Sequence, residues 1–544
     1  MGNEIMNTTP HQSRDFQRPG RSPARAPHAM VATSNPLATE AGLAILRKGG
    51  NAIDAAIAAC AVLAITEPHQ TGIGGDCFVL FAPRGTDEVI AYNGSGRAPA
   101  GVNVEDVRRR LLGGIGETCI EAVTIPGAID AWFTLSADHG KLPWKEVLEP
   151  AIAYATHGVP VGDRTAFDWQ LCGDKIRNSP GLAELFLDGE GQIHRPGHRM
   201  TFPALAHTLK IIAEQGAAGF YQGEVARSMV ETLRTAGGAH TLDDFAAHHG
   251  EYVKPVSYTY RDYTVHQCPP NGQGVIALLI LALISELPLD PEGPLGPWRM
   301  HALIEAGRRA FALRDRNLAD PAYSGFDWDY WLQPEVLRRE AAAIRPDARL
   351  ADDALLEWVA HRDTTYVAVV DEERNAVSLI NSVFDSFGTG IMDRNTGVVF
   401  QNRGMSFSLD PKHPNVLAPG KRPMHTIIPG MVTRGGRAVM PYGVMGGHFQ
   451  PVGHALLLSH MLDYGLDVQT AMDLPRLYPD PVERKVQMER GIDDALRRHL
   501  EGLGHVLSMI EEPIGGAQAI WIDEETGMLC GGSEPRKDGC ASGY

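Results

Sequence analysis

The sequence predicts a mixed α and β fold. Three observations carry this: helical spacing near the amino end, short apolar strands in the carboxyl third, and glycine-rich turns between them. Residues 1–29 are polar, rich in proline and arginine, and read as a disordered tail. Gly2 is followed by Met6 where a myristoylation signal requires Ser or Thr, and no apolar stretch there makes a secretory leader. Structure is expected from Met30. Leu37, Ala41, Ala44 and Ile45 recur at helical spacing, and Gly49-Gly50 ends that helix. Asn51 then caps a second helix from Ala52 to about Thr66, halted by Glu67-Pro68. It is small and apolar nearly all round, so a buried position is expected.

Thr71-Gly72-Ile73-Gly74-Gly75-Asp76 runs into the strand-like Cys77–Phe81. Glycines ahead of a strand indicate close backbone approach. They do not make a nucleotide loop, because GKS or GKT is missing and the loop precedes the strand. Helical stretches alternate with Pro/Gly loops from 120 to 345, without a repeat. Residues 340–362 read as a polar surface connection. Beyond them come short β-rich stretches, a glycine-dense block at 435–454, and helical segments near 452–463 and 467–474.

At 544 residues, 44% hydrophobic and 21% charged, the chain is large enough for two to four core units or one large sandwich with insertions. Asp+Glu 66 against Lys+Arg 49 gives a net −17, which argues against a nucleic-acid partner. No apolar run reaches the ~18 residues of a membrane span. Seven scattered cysteines without a CxxC read as reduced thiols, hence a cytoplasmic location. The histidine pairs His194/His198 and His248-His249 lack metal-ligand spacing, so neither metal nor cofactor is expected. G-x-S-x-G and H-E-x-x-H are absent too.

The chemistry concentrates later. His361-Arg362-Asp363-Thr364-Thr365 ends a polar stretch and begins an apolar strand to Val370. Asp371–Asn375 forms a turn, and Ala376–Ser382 returns as a second strand. A five-residue loop pairs Val370 with Ala376 and carries the register through to Thr364 opposite Ser382. Gln401-Asn402-Arg403-Gly404, Lys421–Thr426 and Gly443–His448 follow. A Gly-Gly pair after an apolar strand can aim N–H groups at one point, as an oxyanion hole needs.

Over essentially 30–544 the chain resembles the γ-glutamyltransferase (glutathione hydrolase) family of N-terminal nucleophile hydrolases. The resemblance rests on Gly49–Ala56, Thr71–Gly75, Ile125-Pro126-Gly127, Asp363-Thr364-Thr365, Phe387–Gly390, Lys421-Arg422-Pro423 and Gly446-Gly447, in that order. It implies a four-layer αββα sandwich made as a precursor. Self-cleavage between Asp363 and Thr364 would leave a large subunit, 30–363, and a small subunit, 364–544, which stay associated. Thr364 would be nucleophile and, through its freed α-amine, base. Ser382 would orient it, and Gly446 and Gly447 would be the oxyanion donors.

The departures fall where the family recognises a glutamyl group. Its carboxylate-binding arginine becomes Ser95, with Arg97 two positions on. The acidic pair that receives an α-ammonium becomes Met405 and Ser406. A serine pair becomes His425-Thr426, and a substrate-binding asparagine becomes Phe384. The resemblance implies an amide hydrolase or acyltransferase of the γ-glutamyltransferase or glutathione hydrolase type, working through a Thr364 acyl-enzyme. The alternatives are an amidohydrolase for a small carboxylate-bearing amide such as oxamate and a non-catalytic binding protein that kept the fold. The expected substrate is a small amide, anionic in character, held by a set drawn from Arg97, His425, Thr426, Phe384 and Arg403. The pattern resembles the branch of glutathione-hydrolase-like proteins and oxamate amidohydrolase.

Overall fold

Strands that are buried at every position need cover on both faces. Such strands form the centre of this protein, seen in a computed structural model that describes residues 20–351 and 364–544. Fourteen strands make two seven-stranded sheets. In chain order they are β1 (Ala24–Ala26), β2 (Met30–Thr33), β3 (Asp76–Ala82), β4 (Ile90–Gly94), β5 (Glu251–Val253), β6 (Val256–Tyr260) and β7 (Tyr263–Gln267). After these come β8 (Thr365–Val370), β9 (Ala376–Ser382), β10 (Pro429–Arg434), β11 (Arg437–Met445), β12 (Gly516–Ile522), β13 (Leu529–Ser533) and β14 (Cys540–Gly543). One sheet runs β14-β2-β8-β9-β3-β4-β5 and the other β1-β13-β12-β11-β10-β7-β6.

Period-2 alternation sorts the layers. On β8, Val367 and Val369 join a core with Val79, Leu379 and the amino-terminal helices. Tyr366, Ala368 and Val370 point the other way, meeting Met431, Met445 and Ile520 of the second sheet. That sheet's outer face, with Val265, Val432 and Val444, lies under a third cluster of helices. Helix, sheet, sheet, helix: the fold is the four-layer αββα sandwich.

Local signals place the helices. α1 (Pro36–Arg47) is capped by Asn35. α2 (Ala52–Thr66) starts in a capping box, Asn51 with Asp54, and all fifteen of its residues are buried. Across the molecule, α3 (Gly274–Ser285), α4 (Pro297–Asn317) and α5 (Gln450–Leu462) cover the second sheet. The two sheets approach closely over Gly443, where a Cβ would lie 2.3 Å from the Tyr366 ring.

The hairpin register is as expected: Val370 pairs with Ala376 and Thr365 with Asn381. The tail differs. Residues 24–29, expected to be disordered, include β1, which pairs with β13 from Ala24↔Gly531 to Ala26↔Leu529. Ala26 buries its methyl beside Leu529, and Arg21 Nη1 donates to Ser533 Oγ at 3.1 Å, so the strand covers a sheet edge. Residues 1–19 of the tail, 352–362 of the polar connection, and Asp363 lie outside the described residues.

Burial sets an acid limit on this fold. It pushes the imidazoles of His240, His425 and His460 down to about 4 and that of His454 to about 3. Below pH ~6.5 the unfolded chain takes up protons that these folded groups refuse, so stability is full above that pH and drains toward pH 4. The Glu67 carboxyl, raised by burial to about 7, has the opposite sign and offsets one of the four. The urea midpoint is expected to fall between pH 7 and pH 5; a midpoint that rises would contradict this burial.

Candidate active site

Antiparallel pairing gathers the chemistry at one end of the sandwich. Thr364 stands immediately before β8, Ser382 ends β9, Asp76 begins β3 opposite Ser382, and Gly446-Gly447 follows β11. Thr364 and Ser382 are buried, and the Thr364 hydroxyl donates to Ser382 Oγ at 3.4 Å. The contact is long for two hydroxyls, as catalytic hydrogen bonds often are before substrate binds. The N–H of Phe384 donates to the same Ser382 oxygen at 2.8 Å, fixing that side chain.

Phe384 itself has φ +83°, a left-handed backbone that an aromatic residue rarely adopts. Strain of this kind persists only where the surroundings hold it, and it gathers at functional sites. Here the Arg403 guanidinium lies 3.7 Å over the Phe384 ring. Arg403 Nη1 donates to Thr426 Oγ1 at 2.7 Å. Gly404 lets this turn pack: a Cβ there would sit 2.8 Å from the carbonyl oxygens of Glu121 and Ala122.

The Gly446-Gly447 turn requires glycine at both positions, with φ +116° and +54°. Gln273 pins it, its Nε2 donating to Gly447 O at 3.0 Å and Thr426 O at 2.8 Å. Arg314 in turn donates to Gln273 Oε1 at 2.9 Å.

Three side chains at this end were not singled out from the sequence. Gln450, first residue of α5, donates from Nε2 to Thr364 Oγ1 at 3.4 Å while its Oε1 accepts from the Ile428 N–H at 3.0 Å. That second bond fixes which way the amide points. Asp76 accepts at Oδ1 from the N–H of Gly96 and of Gly127 and from Gln401 Nε2. Gln273 is the third. The available signals were polar residues bordering apolar runs: Asp76 at the head of its strand, Gln450 at the head of its helix.

Two expected substrate contacts go elsewhere. His425 spends both ring nitrogens inside the protein: Nε2–H donates to Asp76 Oδ2 at 3.0 Å and Nδ1 accepts from the Ile427 N–H at 3.3 Å. Burial keeps it neutral, so it supplies no charge for an anion. Arg97 donates to Gly420 O at 3.2 Å and lies 3.9 Å from Asp320, with its side chain 36% exposed. The N–H of the next residue, Ala98, bonds the same segment as Gly420, at Lys421 O. Phe384, Thr426 and Arg403 are brought to the nucleophile end; Ser95 is buried against Asn93 and Asn271.

Known proteins resemble this chain over nearly its whole length. Residues 38–544 match the gamma-glutamyltranspeptidase family. The chain is 38% identical to the glutathione hydrolase-like YwrD proenzyme of Bacillus subtilis, over 94% of this chain and 98% of that one. It is 35% identical to the oxamate amidohydrolase proenzyme of Klebsiella pneumoniae, over 95% and 98%. The cephalosporin acylase of Bacillus halodurans superposes with a TM-score of 0.90 at 35% identity, covering 98% of this chain and 99% of that one. Similarity over nearly the whole chain to these two proenzymes and to the acylase structure makes this chain a self-processing amide hydrolase: it belongs to the gamma-glutamyltranspeptidase family of N-terminal nucleophile hydrolases.

Proposed function

We propose that Thr364 is the nucleophile of an amide hydrolase whose substrate carries a carboxylate on its acyl group and lacks an α-ammonium. The observation that carries the nucleophile is the buried Thr364 hydroxyl held between Ser382 Oγ and Gln450 Nε2, each at 3.4 Å. In the precursor this hydroxyl attacks the carbonyl of Asp363, the peptide becomes an ester, and water hydrolyses it. The freed α-amine of Thr364, with a pKa near 8, then takes the hydroxyl proton as the oxygen attacks a substrate amide. The proton passes to the leaving amine, and water releases the acyl group from Thr364. Gly446 and Gly447 would receive the oxyanion in both reactions.

The two subunits, 30–363 and 364–544, would remain together after cleavage. Supporting this, both sheets interleave strands from either side of the cut, β8, β9 and β14 lying in one sheet with β2 to β5. A cytoplasmic location is supported by seven cysteines that form no disulfide.

The substrate reading rests on what surrounds Arg403. A γ-glutamyl group needs an acid for its α-ammonium, and the corresponding turn carries Met405, packed among Phe384 and Phe407, and Ser406. The Klebsiella pneumoniae relative is named for oxamate, an amide with a carboxylate and no α-amine. Glutaryl-p-nitroanilide and γ-glutamyl-p-nitroanilide differ only in that amine. The processed enzyme is expected to favour the glutaryl compound by about tenfold or more in kcat/KM, the value of one charge-assisted hydrogen bond. A preference for the glutamyl compound would return the protein to ordinary γ-glutamyl transfer.

A further inference from the structure

Buried arginines in this protein mostly spend their donors on the protein itself. Arg299 donates to Tyr260, Ser459 and the Asp463 carboxylate. Arg476 donates to Ile514 O and the Glu534 carboxylate. Arg314 leaves one nitrogen unmatched but is bonded to the adjacent Asp315 carboxylate. Arg403 differs. It is fully buried, at 0% exposure, yet among the described residues its one side-chain hydrogen bond is to the neutral Thr426 hydroxyl. Nε and Nη2 have no partner among the described residues. Asp76 offers distant attraction only, since its oxygens are taken by backbone N–H groups, Gln401 and His425.

Leaving a buried cation unpaired is costly, so a guanidinium kept in this state is kept for something that arrives later. Nε and Nη2 form one edge of the guanidinium fork, the geometry that grips a carboxylate with two parallel bonds. Arg403–Ser406 is a single 3-10 turn, in which side chains three apart lie above one another. The Ser406 hydroxyl is likewise buried and without a partner among the described residues. Arg403 also stacks on Phe384, whose N–H holds the orienting Ser382 hydroxyl, so the fork is coupled to the nucleophile through three contacts.

We infer that Arg403 and Ser406 together form the receptor for the substrate's acyl carboxylate, which makes half-amides of small dicarboxylic acids the substrate class. The charge that the family places at the position of Ser95 is supplied here from another element. Ser406 adds a third donor, and an α-ammonium here would meet the like charge of the guanidinium with no carboxylate to receive it. The inference rests on Thr364 as the nucleophile, and the experiment separates the two.

Processed wild type, Arg403→Gln, Arg403→Lys and Ser406→Ala are assayed with p-nitroanilides of oxalic to glutaric half-acids. Each is paired with the neutral carboxamide of the same shape. At the best-fitting length, wild type is expected to favour the carboxylate by about 100-fold or more in kcat/KM, because the neutral analogue leaves the fork unpaired. Arg403→Gln should bring that ratio to within a few-fold. Arg403→Lys keeps a charge without the fork and should lose most of it; Ser406→Ala should lose about tenfold at most. A wild-type ratio near one, or a ratio that survives Arg403→Gln, overturns the receptor while leaving Thr364 in place. Should Arg403→Gln not fold, calorimetry of wild type with free glutarate and glutaramide reads the same site without turnover. Tighter binding of the dianion supports the assignment, and equal binding or none overturns it. Failure of the nucleophile looks different, as an unprocessed chain with no hydrolysis of either member of any pair.

Discussion

Thr364→Ala is expected to remain one chain of 544 residues and to hydrolyse nothing. The methyl that replaces the hydroxyl can neither attack the carbonyl of Asp363 nor form an acyl-enzyme, so maturation and turnover are lost together. The fold should survive. Its hydroxyl contacts to Ser382 and Gln450 are both 3.4 Å long, and the hairpin is held by pairs from Thr365↔Asn381 to Val370↔Ala376. Deleting contacts this long should cost no more than about 0.5–1.5 kcal/mol of stability. Thr364→Ser keeps the hydroxyl and is expected to process and turn over at a reduced rate, because the lost methyl frees its rotamer. A denaturing gel and an amidase assay on the three proteins read this directly. Two bands from Thr364→Ala would remove the residue from the mechanism.

The second large effect is expected at the glycine pair. An alanine Cβ at Gly446 would lie 2.9 Å from Gly515 Cα, on a backbone held at φ +116°. The turn must move, and with it the N–H groups proposed to meet the developing oxyanion. Loss of one such donor costs about 10²–10³ in kcat, and the same donors serve self-cleavage, so both rates should fall. Binding of free dicarboxylate should change far less, because Arg403 and Ser406 lie on a different element. A Gly446→Ala enzyme with wild-type kcat would place the oxyanion elsewhere.

Much of this is legible in the sequence. The Asn51 cap, the apolar helix after it, and the register that sets Thr364 beside Ser382 are local or period-2 signals, and the structure reproduces each. β1 was not legible, because three residues of Ala-Arg-Ala carry no pattern; only the edge of β13 makes them a strand. On the substrate side the sequence drew attention to residues whose surroundings only the fold reveals. Missing acids at Met405 and Ser406 pointed to a substrate without an ammonium. Arg97 and His425 were the obvious cations nearby, yet Gly420 and Asp320 take the first, and Asp76 takes the second. Whether a guanidinium is spent or free depends on partners hundreds of residues away, which spacing along one chain does not encode. Gln450 escaped for the same reason: its role is set by Ile428 and Thr364, each on another element.

The most direct test of the central claim is to locate the acyl group. The processed enzyme is mixed with a half-amide substrate, quenched in acid within the burst, and its short chain is mapped by mass spectrometry. The expected result is a chain that begins at Thr364 and carries the acyl mass as an ester on that first residue. An acyl group on any other side chain, or a working enzyme whose chain is uncut at Asp363-Thr364, would contradict it.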